Sequence, residues 1–256
     1  MRIKWYGTAS LLIEGGATRV LVDPYLKLHN RKLFRVPVEE AAGADAALIT
    51  HPHFDHFRDI GAFLNAGLPR VYVSENGIRI AERNGIPADK MLAVAAGDRF
   101  QIGEIGVRVF QSRHCVFDGA TLAGIVLSPR TYFNAHKAVA LLKEMKRYKI
   151  GDDVYAFGLT HGDKTVFILG SAGTDGDTQY PTGADLLVFP YQGRTKMYRY
   201  MRPFLKELQP KSVFADHFDD AFPPFTHKVN MEKFMREAEA FGIKATVPKE
   251  GEWYEV

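Results

Sequence analysis

The sequence predicts a mixed α/β protein, one domain over residues 1–256, built as two strand-rich halves of similar content. Three observations predict it. A chain of 256 residues, 46% apolar and 25% charged, has the balance of a globular protein able to bury a sizeable core. Short apolar strands alternate with amphipathic helices along its whole length. No linker or low-complexity stretch divides it.

The opening quarter reads as a meander, with strands at 3–6, 10–14 and, after the Gly15-Gly16 turn, 19–23. A buried strand follows at 46–49, and strands at 70–73 and 107–110 are separated by helical stretches such as 75–84. A further strand is expected near 122–127. The segment 134–148 then repeats apolar residues at Ala138, Leu141, Leu142, Met145 and Tyr148, with Lys137, Lys146 and Arg147 between them, which predicts an amphipathic helix. It forms a helical insertion at about 130–150. Its basic side reads as a solvated face, a lid being the alternative. Strands at 154–159 and 165–169 flank His161-Gly162-Asp163-Lys164, a hairpin signal because Gly and Asp tolerate the turn's dihedrals. Strands at 185–189 and 212–215 alternate with helices around 196–207 and 230–241, and a strand at 243–247 closes the chain.

Composition excludes several classes. The formal net charge is +3, from 33 Lys and Arg against 30 Asp and Glu, and the charges are interspersed, so no basic tail or block marks a nucleic-acid or membrane partner. Cys115 is the single cysteine, so no internal disulfide forms and a reducing compartment fits. Met1-Arg2-Ile3-Lys4-Trp5-Tyr6 enters apolar alternation with no signal-peptide core, and no apolar run approaches membrane-spanning length. A soluble, cytoplasmic protein is expected, with a homo-oligomer left open.

Chemistry concentrates in Thr50-His51-Pro52-His53-Phe54-Asp55-His56, immediately after an apolar strand. Imidazole nitrogen and carboxylate oxygen are the ligands that zinc prefers, and iron, manganese and nickel also accept them. On an extended segment His51 and His53 point the same way, because side chains repeat with period two. Where the chain turns toward a helix, Asp55 and His56 face a second point nearby. Distant residues must complete such a site, and two histidines occupy the same kind of place: His114 just past the strand ending at Phe110, and His217 just past the strand 212–215. His29, His136, His161 and His227 read as surface, turn or helix residues, and Cys115 as a buried inert thiol.

His-x-His-x-Asp-His after a strand resembles the signature of the metallo-β-lactamase superfamily, and His114 and His217 fall in the order of that family's later histidine ligands. Trp5-Tyr6-Gly7-Thr8-Ala9-Ser10 with Val20-Leu21-Val22-Asp23-Pro24 resembles most closely the branch of L-ascorbate-6-phosphate lactonase-like and N-acyl-phosphatidylethanolamine phospholipase D-like proteins. The resemblance implies a four-layer αββα sandwich with a metal site at one edge. It places His51, His53 and His114 on a first divalent metal ion and Asp55, His56 and His217 on a second. Zinc is expected first, with manganese, iron or nickel as alternatives, and one or two ions. Asp23 matches the family's aspartate beneath the metal loop, where it orients ligands. Asp55 and His56 are the catalytic candidates, Asp55 as a proton handler.

Two departures bear on this. The family's Gly-Asp-Thr-Gly, whose Asp bridges the metals, reads Gly170-Ser171-Ala172-Gly173 here, with Asp175 or Asp177 as substitutes only if the loop folds back. The branch often has His after the early Gly, whereas Thr8 follows Gly7. Arg194 is a candidate for pairing with a phosphate or carboxylate, and Asp219 and Asp220 for orienting or facing a substrate. Metal sites of this kind supply acidified water and Lewis-acid polarisation, so the expected reaction is hydrolysis. The substrate expected is a small anionic ester, lactone or phosphoester. Two alternatives are a metal-dependent nuclease, for which the charge is too dispersed to trace a phosphate track, and a degenerate member that binds metal or ligand without turnover.

Overall fold

The computed structural model describes residues 1–26, 30, 34–149, 151 and 153–256; of the expectations above, His29 and position 150 of the insertion lie outside them. The first half runs β1 (Arg2–Gly7), β2 (Ser10–Gly15), β3 (Thr18–Val22), α1 (Val38–Ala42), β4 (Ala46–Leu48), α2 (Phe54–Phe57), α3 (Ile60–Asn65), β5 (Val71–Val73), α4 (Glu75–Arg83) and β6 (Met91–Ala93). The second half begins β7 (Arg99–Ile102), β8 (Ile105–Gln111), α5 (Gly119–Leu127), α6 (Pro129–Phe133), α7 (Ala135–Arg147), β9 (Tyr155–His161) and β10 (Lys164–Leu169). It continues with β11 (Leu186–Pro190), α8 (Met197–Tyr200), α9 (Arg202–Leu208), β12 (Ser212–Asp216), α10 (Glu232–Ala240), β13 (Lys244–Thr246) and β14 (Trp253–Glu255).

The strands form two seven-stranded sheets, ordered β14-β1-β2-β3-β4-β5-β6 and β13-β12-β11-β10-β9-β8-β7, the first half of the chain taking β14 from its far end. The two are built alike: antiparallel hairpins first, then a parallel run, β3 to β6 in one and β10 to β13 in the other. The similar content read from the two halves of the sequence thus corresponds to a repeated sheet pattern.

Alternation along the strands sorts the layers. Leu11 and Ile13, Val20 and Val22, and Ala46 and Leu48 join the core shared with Val107, Val109, Phe157 and Phe167 of the opposite sheet. The residues between them, Leu12, Leu21 and Ala47, face a second core closed by Ala41 of α1, Phe57 of α2, Phe63 of α3, Ile80 of α4 and Leu141 of α7. Met197, Met201, Phe204, Leu205 and Phe234 lay α8 to α10 on the outer face of the second sheet. The result is the helix–sheet–sheet–helix sandwich that the resemblance implied, and period-two burial on both faces is its cause. Burying each such side chain contributes about 1.5–3 kcal/mol, so the inter-sheet core dominates the favourable side.

Three expectations are corrected or refined. The strand near 122–127 is helix α5: the Asp118 carboxylate accepts from Thr121 N–H (2.7 Å) as its cap, and β8 already has β7 and β9 as neighbours. Ile125, Val126 and Leu127 read as strand, yet no residue of α5 is buried. The helix around 196–207 is two helices, broken at Met201 before Pro203, whose ring supplies no backbone donor. The chain closes on β14, which pairs antiparallel with β1, and not on the strand at 243–247. Like β6 and β7, β14 is only three or four residues long, too short to show alternation in the sequence. The amphipathic helix expected at 134–148 is present as α7, packed against α2. No helix among the described residues is long and apolar enough to cross a membrane.

Gly170, just past β10, is one of the places where the two sheets approach closely: a Cβ there would lie 2.1 Å from Thr50 Cβ. Gly170→Ala must push the end of β10 away from the loop after β4. Overpacking of this kind costs about 1–3 kcal/mol. A lowered urea midpoint at unchanged slope is the expected result, and an unchanged midpoint contradicts the close approach.

Candidate metal centre

The candidate residues converge at one edge, because the parallel strands of both sheets end there. Past β4 the chain bends at Thr50, and His53 is extended, with φ −66° and ψ 155°, before α2 begins. His51 and His53 therefore share a side, while Asp55 and His56 lie in the single turn of α2, which Phe54 and Phe57 anchor in the outer core. His114 arrives on the loop after β8, and His217 follows β12 directly.

Two trios result. Donor atoms of His51, His53 and His114 lie within 4.8 Å of one another, as do those of Asp55, His56 and His217. The trios adjoin, with the His51 and His56 rings 4.0 Å apart between centroids. All six sequence-predicted ligands are thus brought together. No donor from Asp175 or Asp177 joins either trio: Asp175 is held by Arg113 (2.8 Å) and Thr178 (3.0 Å).

Hydrogen bonds fix the rings. Asp23, buried at the end of β3, accepts from Thr50 N–H (2.8 Å), Thr50 O–H (2.5 Å) and His56 Nδ1–H (2.8 Å). His114 Nδ1–H donates to the Cys115 carbonyl (2.9 Å), and His51 Nδ1 meets Thr50 Oγ1 (3.0 Å). In each of these rings Nδ1 is engaged and Nε2 is left as donor to a metal. His51 Nε2 is buried with no hydrogen-bond partner among the described residues. A buried unpaired ring nitrogen is costly, and a carboxylate with five imidazoles is the donor set that a borderline divalent cation takes. The residues fit such an ion.

Charge divides the trios. Burial pushes His51 well below the ordinary histidine range, with His56, His53 and His114 adding to the effect. Burial likewise drives His53 down to about 3 and lowers His114. In the other trio burial opposes the result, but carboxylates prevail. The bond to Asp55 Oδ2 (3.2 Å) and the charges of Asp55, Asp216 and Asp219 raise His217 to about 9, and Asp55 with Asp23 raises His56. His56 and His217 in turn hold Asp55 below the usual carboxylate range.

Three left-handed residues support the centre: Thr8 (φ 50°), Asp23 (φ 44°) and His217 (φ 56°). Each conformation costs on the order of 1–3 kcal/mol outside glycine, so surrounding bonds must hold it. The Thr8 carbonyl accepts from His217 N–H (2.8 Å) and Trp5 Nε1–H (2.9 Å), and Thr8 N–H donates to Asp219 (3.0 Å). Trp5 stacks on Phe218 at 4.6 Å. Thr8 and Asp219 thus brace His217, while Asp220 ties to Arg130 (2.6 Å). Ser171 steadies the His114 loop, its Oγ accepting from Cys115 N–H (2.9 Å). Arg194 lies over Tyr200 at 4.5 Å and donates to the Val116 carbonyl. Burial raises the Cys115 thiol to about 11, as fits an inert cysteine.

His136 and His227 are exposed, and His161 lies 3.4 Å from Glu104, away from the trios. Thr50 and Asp216 join the site without having been singled out in the sequence. Thr50 signals itself there only as the residue before His51. Asp216 is fully buried, its Oδ1 lacks a partner among the described residues, and burial raises it to about 7.

A family model for the beta-lactamase superfamily domain matches residues 18–218. A UPF0173 metal-dependent hydrolase of Pyrobaculum islandicum is 30% identical over 152 residues, 57% of this chain and 65% of that protein. The match thus spans just under two thirds of the relative. Among solved structures, Igni18, a metallo hydrolase from Ignicoccus hospitalis, aligns with TM-score 0.66 at 15% identity over 100% of this chain and 98% of that one. YhfI of Bacillus subtilis, a metallo-beta-lactamase fold protein, aligns with TM-score 0.64 at 17% identity, covering 99% of both chains. Both likenesses concern the fold.

Two outcomes follow from this geometry. Asp23→Asn places an amide against donors that need an acceptor, so zinc affinity measured by chelator competition is expected to fall about 10–100-fold; unchanged affinity contradicts the role of Asp23. Protonation gives the second. His217 holds its proton below about pH 9, and a cation binds only the neutral ring. Cation affinity at the Asp55, His56 and His217 trio therefore rises as pH is raised from 6 to 8, by about tenfold per unit. The other trio, already neutral, changes little. Two titration phases with equal pH dependence would contradict this.

Proposed function

The chain belongs to the beta-lactamase superfamily, and on that premise we propose that it is a metal-dependent hydrolase whose ion or ions are held by the two adjoining trios. The observation that carries this reading is the pair of trios itself, with the unpartnered Nε2 of His51 buried in one and the carboxylate of Asp55 in the other. His51, His53 and His114 hold one ion, and Asp55, His56 and His217 hold a second where it binds. Zinc suits the imidazole-rich set best, with manganese, iron or nickel as alternatives. A divalent ion in such a site acidifies a water and polarises the bond to be cleaved.

The chain's own groups do the rest. Asp23 keeps the proton of His56 on Nδ1 and so fixes the ring that faces the reaction. Asp55 Oδ2 lies 3.2 Å from His217 Nε2 and 3.6 Å from His56 Nε2, where it can take a proton and return it to a leaving group. The substrate is a small anionic ester, lactone or phosphoester. Its chemistry is read from the family's reactions.

One observation favours a variant of this reading with a single tightly held ion. Where the family places its bridging aspartate, Ser171 instead accepts a hydrogen bond from Cys115 N–H, so the second trio lacks a shared carboxylate. The experiment is metal analysis of the purified protein beside an esterase, lactonase and phosphodiesterase screen. About one ion or more per chain and turnover lost in His51→Ala are expected. Protein that retains no zinc, manganese, iron or nickel and gains no activity when they are supplied overturns the proposal, and turnover untouched by His51→Ala does so equally.

A further inference from the structure

Between α4 and the end of α7 lies an open cavity of about 630 Å³, lined by the cations Arg79, Arg83, Lys146, Arg147 and Lys149, the carboxylate of Asp153 and two neutral residues. The neutral pair, Asn76 and Gly151, brings neither a ring nor a large apolar side chain. Asp153 is already committed, accepting from Ser74 Oγ (2.5 Å), Asn76 Nδ2 (3.2 Å) and Gly151 N–H (2.9 Å). Arg79 pairs with Glu75 (2.9 Å) and Arg147 donates to Asn84 Oδ1. Arg83, Lys146 and Lys149 have no ion pair among the described residues.

Unpaired cations also occur elsewhere among the described residues, as at Lys137, Lys206 and Arg236, and others are paired: Arg2 meets Glu14, Arg202 meets Glu237 and Lys211 meets Asp185, each at 2.8 Å or less. What sets this group apart is its convergence on one cavity. The helix dipole favours Arg83, Lys146 and Arg147 in the last turns of α4 and α7. It gives no reason for two helix ends and the following loop to turn like charges into one concavity, where they repel. A cleft lined by one sign of charge concentrates counter-ions of the other.

We infer that the cavity between α4 and α7 is a binding site for a small polyanion carrying two or more neighbouring phosphoryl groups. Arginine takes such groups through its planar fork and lysine as a point charge. No described lining residue carries a ring on which a base could stack, and the convergence on one cavity, instead of a line of cations, fits a small molecule better than a nucleic-acid backbone. The six candidate metal ligands take no part in the cavity lining, so the site does not rest on the metal reading. It does stand near the candidate centre, since Asp153 is among the charges acting on His53.

The test is calorimetric titration of the full chain with inorganic pyrophosphate, after chelator treatment and at low salt. Saturable one-to-one binding is expected, weakened at least tenfold in the Arg83→Ala, Lys146→Ala double variant and unchanged in Lys206→Ala on α9. Raised salt weakens it further. Unchanged thermal melting of the double variant shows that folding is not the cause. Absence of saturable binding to the wild type overturns the inference, as does equal weakening by Lys206→Ala, which marks a general charge effect. Binding of a single-stranded oligonucleotide that the double variant loses, with no binding of pyrophosphate, overturns it in favour of a nucleic-acid surface.

Discussion

Asp23 is a buried carboxylate with three donors converging on it, and the geometry of the centre follows from that constraint. It closes β3 in a left-handed conformation, fixes the first residues after β4 through Thr50 N–H and O–H, and sets the His56 ring through Nδ1. A buried charge in this position is tolerated because each of these contacts brings it a donor. Removing it strands those donors, at about 1–3 kcal/mol each. The same residue therefore couples the first sheet, the loop after β4 and the helix α2 that carries Asp55 and His56.

The second sheet supplies the opposite wall by the same device, loops at strand ends held by backbone and hydroxyl bonds. Thr50 C=O accepts from Tyr155 N–H (2.8 Å), joining the sheets beside Gly170. Ser171 steadies the loop of His114, and Thr8 crosses from the first sheet to hold His217. Two nearly matching sheets thus present their strand ends to one edge, and the six candidate ligands come from both. The electrostatic contrast between the trios has the same origin. Burial among imidazoles lowers the histidines of one trio, whereas in the other Asp55, with Asp23, Asp216 and Asp219 beside it, raises His56 and His217 and favours their protonated forms.

Much of this is legible in the sequence, for a physical reason. Four of the six candidate ligands lie within His51 to His56, so their convergence is a local matter of a segment entering a helix. His114 and His217 are legible because strand ends in layered folds collect at one edge. What is not legible depends on partners distant in the chain. The hydroxyl of Ser171 binds Cys115 N–H, and nothing near position 171 announces it. Helix α5 has β-branched residues that read as strand, and the Asp118 cap together with β8 already lying between β7 and β9 decides against it. β14 is three residues long and is defined by pairing with β1 across the length of the chain. Thr8 reads as a departure from the branch's usual histidine, yet its carbonyl and backbone N–H do the bracing, which a side-chain motif does not encode.

The central claim is that these side chains form a metal centre with His51, His53 and His114 at its heart. Diffraction data collected across the absorption edge of the metal, from crystals of metal-loaded protein, test it most directly. The account predicts an anomalous peak among the free ring nitrogens of that trio, with a weaker second peak near Asp55, His56 and His217. An anomalous map with no peak within coordination distance of His51, or with its strongest peak elsewhere on the protein, contradicts it.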